Sequence, residues 1–165
     1  MMRTVILLLT FMAGSLVALA QPRAFGLGLI LGEPTGISAK GYIGNDRAIA
    51  GAIAWRLWRG NALHIHADHL YHDRGLIGVP RGSMPLYYGF GVRLRTWTGE
   101  RYWHRGRYHD IHERRVDLGV RFPVGLAYEF GGAPLDIFVE VAPILDLLPD
   151  TRVEINGSIG MRYWF

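Results

Sequence analysis

The stretch Arg115-Val116-Asp117-Leu118-Gly119-Val120-Arg121-Phe122-Pro123-Val124-Gly125-Leu126-Ala127-Tyr128-Glu129-Phe130 decides the fold. Successive side chains of a strand point to opposite faces. Val116, Leu118, Val120, Phe122, Val124, Leu126 and Tyr128 therefore share one face, while Arg115, Asp117, Gly119, Arg121, Gly125 and Glu129 share the other. An amphipathic helix would repeat every three to four residues; this stretch repeats every two.

The same alternation runs outward in both directions. Segments 25–32, 36–43, 48–58, 62–72, 86–95, 115–130, 135–142 and 152–165 each read as a strand, eight in all. Turn-forming residues separate most of them: Glu33-Pro34-Thr35-Gly36, Gly44-Asn45-Asp46, Arg59-Gly60-Asn61, Gly131-Gly132-Ala133-Pro134 and Leu148-Pro149-Asp150. Two connections are longer, 73–85 and 96–114. Sorted by parity, one face of the eight segments is Val, Leu, Ile and aromatic, with no Asp, Glu, Lys or Arg; His69 is its polar exception. The opposite face collects Lys40, Arg56, Asp68, Arg93, Arg95, Asp117, Arg121, Glu129, Asp136, Glu140, Glu154 and Arg162, joined by Arg115 and Arg152. Between these charges stand small residues such as Ala50, Ala52, Ala54, Gly89, Gly91, Gly119 and Gly160.

A soluble β-barrel or sandwich also alternates, with its apolar face inward. Here the polar face has almost no Lys and many Gly and Ala, which suits the narrow inside of a small barrel rather than a wet surface. The expected fold is all-β: an eight-stranded antiparallel up-and-down transmembrane barrel with hydrocarbon outside and paired charges within. Closure leaves no unpaired strand edge, which a bilayer requires. Lys or Arg at the bilayer midplane would cost about 2–4 kcal/mol each, so the apolar face excludes them. Trp55, Trp58, Tyr71, Tyr87, Tyr88, Trp97, Tyr128, Tyr163, Trp164 and Phe165 fall at or near segment ends, where interfacial girdles belong.

Residues 1–20 read as a signal peptide that is removed. Arg3 gives the positive start, Val5 to Met12 and Leu16 to Leu19 the apolar stretch, and Ala18-Leu19-Ala20 a small-x-small cleavage site before Gln21. The expected mature unit is one barrel domain, residues 21–165, in the outer membrane after passage through the periplasm. An even strand number puts both termini at the periplasmic side and connection 96–114 outside the cell. The chain carries a net charge of +4 and a pI near 9.7, but its arginines are spread singly along apolar segments. Nucleic-acid surfaces cluster their cations, so no nucleic-acid partner is expected. With no cysteine there is neither a disulfide framework nor a Cys-based metal site.

The last strand, with Val153, Ile155, Ile159, Met161, Tyr163 and Phe165 alternating to the terminus, resembles the C-terminal signature of bacterial outer-membrane proteins. That resemblance implies Tyr163 and Phe165 as the mark read by the outer-membrane assembly machinery. The whole mature chain resembles OmpX/OmpA-type eight-stranded barrels. It is more closely similar to a family of uncharacterised outer-membrane barrels known from spirochaetes and other bacteria. The closer likeness lies in Gly32-Glu33-Pro34-Thr35-Gly36, His64-Ile65-His66-Ala67-Asp68, Pro85-Leu86-Tyr87-Tyr88-Gly89, Pro123-Val124-Gly125-Leu126-Ala127-Tyr128 and Ala133-Pro134-Leu135-Asp136-Ile137-Phe138. No catalytic residue comes with either resemblance. OmpX-type barrels project long outer loops, whereas most outer turns here are short, which weighs against a general adhesive role.

Three sets of residues carry candidate chemistry. His64, His66 and Asp68 point to one face of a strand, and a His-x-His pair can ligate zinc; the competing reading hydrogen-bonds them within the polar interior. Arg101, Arg105 and Arg107, interleaved with aromatics in the long outer connection, could hold lipopolysaccharide phosphates through bidentate contacts. A lipid-modifying enzyme would need a Ser–His pair near the outer rim. The serines after residue 20 are Ser38, Ser83 and Ser158, and none is placed for it. The expectation is therefore a monomeric, non-enzymatic barrel without cofactor. It would play a structural or surface-interaction role, with a charge-plugged interior and outer-membrane lipids as neighbours. A lipid A- or phospholipid-modifying barrel, or a metal-binding one, is the alternative.

Overall fold

The computed structural model describes residues 25–56, 62–98, 102–104, 107–109 and 114–165. Eleven strands follow one another: β1 Phe25–Gly32, β2 Gly36–Tyr42, β3 Arg47–Arg56, β4 Ala62–Asp73, β5 Leu86–Thr98, β6 Tyr102–His104, β7 Arg107–His109, β8 Arg114–Arg121, β9 Val124–Glu129, β10 Leu135–Leu148 and β11 Arg152–Trp164. Nine of them form one antiparallel sheet, and β10–β11 and β11–β1 pairing closes it into a ring. β8 and β9 are one strand interrupted at Phe122-Pro123; both pair with β5 and with β10. The ring is thus an eight-stranded up-and-down barrel, as the alternation predicts. The signal-peptide reading of residues 1–20 falls outside the described residues.

One end of the barrel holds the start of β1 and the close of β11, and is called the terminus end here. The other holds the last residues of β5 and the first of β8, and is called the far end. At the far end β6 and β7 pair as a separate two-stranded sheet, with Trp103 opposite Tyr108 and His104 opposite Arg107. At the far rim Gly32 adopts φ 119° before the Glu33 turn, a conformation that disfavours side chains, and Thr35 Oγ1 donates to its carbonyl at 2.8 Å.

The wall is two-faced. Leu29 is 61% exposed, Phe90 55%, Val139 49% and Ile159 53%, and between the rims the outer surface holds no Asp, Glu, Lys or Arg among the described residues. Within the ring Lys40, Arg93, Arg121, Asp117, Asp136 and Asp146 are all buried. Polar groups inside and apolar groups outside invert the order of a water-soluble protein.

One strand outgrows its predicted bounds. Segment 135–142 stops before Pro143, yet β10 continues to Leu148. A strand residue aims its N–H and C=O at the same neighbour, and the Pro143 carbonyl accepts from Phe122 N at 2.9 Å. The missing N–H of Pro143 therefore faces Phe122, whose carbonyl receives no ladder bond from it, beside the Phe122-Pro123 interruption.

Candidate functional site

The inner face is the one place where the fold concentrates chemistry, and it sorts into three levels. The far level is an arginine–carboxylate lattice. Arg93, wholly buried, donates to Asp146 Oδ2 at 2.6 Å and to Glu154 Oε2 at 3.0 Å. Arg95 donates to Asp117 Oδ2 at 3.1 Å and to Glu154 Oε1 at 2.9 Å. These residues come from β5, β8, β10 and β11, so the lattice ties half of the ring together. The guanidinium fork, with five N–H donors in one plane, serves two carboxylates at once.

At mid-height Arg121 donates to Asp68 Oδ2 at 3.0 Å and also bonds Glu140, to which the Tyr87 hydroxyl donates at 3.0 Å. His64 Nε2 and His66 Nδ1 lie 3.1 Å apart, and His66 Nε2 stands 3.6 Å from Asp68 Oδ2. The sequence puts His64, His66 and Asp68 on one inward face, and the fold keeps them there. It does not gather them as ligands: among the described residues no three His, Asp or Glu side chains form a metal-holding group.

The terminus-end level is aromatic. Tyr42 stacks on Trp164, with centroids 5.2 Å apart, and its hydroxyl donates to Glu129 Oε1 at 2.6 Å. β2 and β9 stand on opposite sides of the ring, so this one bond spans the lumen. Arg74, from the 74–85 connection, caps the pair by donating to Glu129. Asp136 accepts from Arg162 Nε at 3.2 Å and from Trp164 Nε1 at 3.1 Å. Lys40, 1% exposed, lies beneath the rings of Tyr42, Tyr87 and Trp164, at 5.0, 5.3 and 5.9 Å from their centroids. Gly26, beside both Lys40 and Trp164 in the ladder, makes the space: a Cβ there would meet the indole at 3.1 Å. A pocket of about 180 Å³ opens at this end, walled by Tyr42, Arg74, Glu129, Pro134, Leu135 and Trp164.

The predicted inward charges Lys40, Asp68, Arg93, Arg95, Asp117, Arg121, Glu129, Asp136, Glu140, Glu154 and Arg162 all sit on this inner face. The side chain of Arg56 falls outside the described residues, as do Arg101, Arg105 and the side chain of Arg107. Asp146 was missed because the predicted strand ended at Ala142. The signal was present, since Ala142, Ile144 and Asp146 continue the inward parity past Pro143. Tyr163 and Phe165 lie on the outer face, 48% and 68% exposed, with rings in edge contact at 5.0 Å.

No family model matches the chain, and no curated protein does. Among solved structures it is similar to the N-terminal β-barrel domain of Pseudomonas aeruginosa OprF, with a TM-score of 0.64 at 14% identity over 88% of this chain and 100% of that one. At that identity the likeness is one of fold alone, that of a β-barrel domain.

Proposed function

We propose that this chain is an integral outer-membrane barrel with a structural or surface-interaction role, and that its ion-paired interior holds the wall together rather than conducting. The observation that carries this reading is the inverted wall: among the described residues, an outer surface free of Asp, Glu, Lys and Arg between the rims, around buried charges that are mostly paired. Water would penalise the first, while hydrocarbon tolerates it and demands the closed ladder beneath. The fold likeness to the OprF barrel domain supports the address, and the Tyr163-x-Phe165 ending supports delivery by the outer-membrane assembly machinery. The proposed orientation sets the terminus end in the periplasm and the β6–β7 hairpin outside. The closer kinship with the spirochaetal barrels rests on the sequence stretches alone.

An eight-stranded barrel leaves an interior just wide enough for side chains. Arg121, Arg93 and Arg95, held between acids of other strands, occupy it. The test is fractionation of expressing cells, followed by refolding of the purified chain with and without detergent. The reading expects recovery with outer membranes and a folded state only in detergent or lipid. A folded monomer in plain buffer overturns it. In planar bilayers no steady, large conductance is expected. For the hairpin, native mass spectrometry should find lipopolysaccharide retained by the wild type and lost on Arg105→Ala with Arg107→Ala.

A further inference from the structure

Lys40 has no acid to itself at the terminus-end level. The two inward carboxylates of that level are each claimed: Glu129 by Arg74 at 2.5 Å and Asp136 by Arg162 at 3.2 Å. Tyr42 and Trp164 fill further acceptor sites on the same acids. Lys40 is left without an acid of its own at this level, although Asp68 and Glu140 share the one Arg121 at mid-height, and its Nζ has no hydrogen-bond partner among the described residues. A buried ammonium without a partner is a costly arrangement, and ring faces offset only part of that cost.

His72 has the same deficit from the other side. It is 5% exposed and neither ring nitrogen has a hydrogen-bond partner. The two residues share walls: His72 lies 5.1 Å from Tyr42 and 5.6 Å from Tyr87, ring to ring, and Lys40 sits over the same two rings. On the strands beside Lys40 the ladder neighbours are Gly26 and Ala50, which contribute almost no bulk. Tyr42 and Trp164 also wall the pocket that opens at this end, with Arg74 at its mouth.

We propose that Lys40 and His72 form an internal binding site for one small monovalent anion of chloride size, entered from the terminus end past Arg74. One such anion gives Lys40 Nζ the acceptor it lacks and pairs its charge locally. The Tyr42, Tyr87 and Trp164 rings stand 5.0 to 5.9 Å from Lys40 Nζ, which favours a small ion over a bulky group. The site follows from the barrel interior alone, so it stands or falls separately from the membrane reading.

Crystals of the refolded barrel grown in sodium bromide test it directly. The expected result is an anomalous peak against Lys40 Nζ. Thermal melting in sodium chloride and in sodium gluconate, at equal ionic strength, gives a second readout. The wild-type midpoint should be higher in chloride and rise with its concentration, while Lys40→Met should melt alike in both salts. If Lys40→Met does not refold, His72→Phe takes its place in that comparison. A Lys40 neighbourhood without anomalous signal overturns the site, whether it is empty or holds only water. So does a chloride effect that survives the substitution.

Discussion

The two ends of the lumen solve the same problem with different cations. At the far end Arg93 and Arg95 engage three acids, Asp117, Asp146 and Glu154, and the guanidinium forks bridge strands that are not neighbours. At the terminus end Lys40 meets only aromatic faces, and the acids around it belong to Arg74 and Arg162. A planar fork can be a structural cross-brace because it satisfies two partners in fixed directions. A point charge among rings cannot, and leaves room for something to join it. The far end is therefore built for rigidity, and the terminus end for occupancy.

The largest effect that would break this contrast is Arg93→Ala. It leaves Asp146 beside a cavity with only the longer Arg95 contact at 3.7 Å, and should cost about 3–5 kcal/mol in urea unfolding from detergent or lipid. Arg93→Met combined with Asp146→Leu should recover most of that loss, since removing both charges avoids leaving one unpaired. Next comes the outer wall. Val139→Lys, mid-height on β10, should cost about 2–4 kcal/mol in vesicles, and Leu31→Lys at the rim about 0–1 kcal/mol. Equal costs at both depths would mean that no bilayer gradient surrounds the wall. Arg74→Ala breaks a half-exposed pair and should cost at most about 1 kcal/mol. Smallest of all is Lys40→Met in gluconate. Apolar replacement of an unpaired buried charge should leave stability unchanged or slightly raised, by the reasoning that makes buried ion pairs replaceable.

Much of the fold was legible because a period of two leaves little choice of element or face. Residues 115–130 predicted one strand, and the inward parity of Asp117, Gly119, Arg121, Gly125 and Glu129 persists through the β8–β9 interruption. β10 was cut short because a proline alone says nothing about which neighbour its missing N–H would face; only the pairing at Phe122 answers that. The lumen charges were likewise readable by parity, but their partners were not. Arg93 could have met any acid of the inner face, and its choice of Asp146 and Glu154 depends on the tilt and stagger of strands far apart in sequence. The Tyr42–Glu129 bridge is of the same kind, since its two residues are separated by most of the chain. The pairing of His64 with His66 rather than a metal geometry also depends on ring orientation, which spacing does not encode.

The two prolines of neighbouring strands bear on assembly. A slip of two residues between neighbouring strands leaves every side chain on its proper face, so greasy-outside patterning alone cannot forbid it. Pro123 and Pro143 do not forbid it either: in the observed register their ring nitrogens already face the Gly89 and Phe122 carbonyls, and a slip would only move those gaps along the neighbouring strands. The alignment of this seam therefore falls to side chains that meet across it inside the ring, such as Arg121 with Glu140, which a two-residue slip would pull apart.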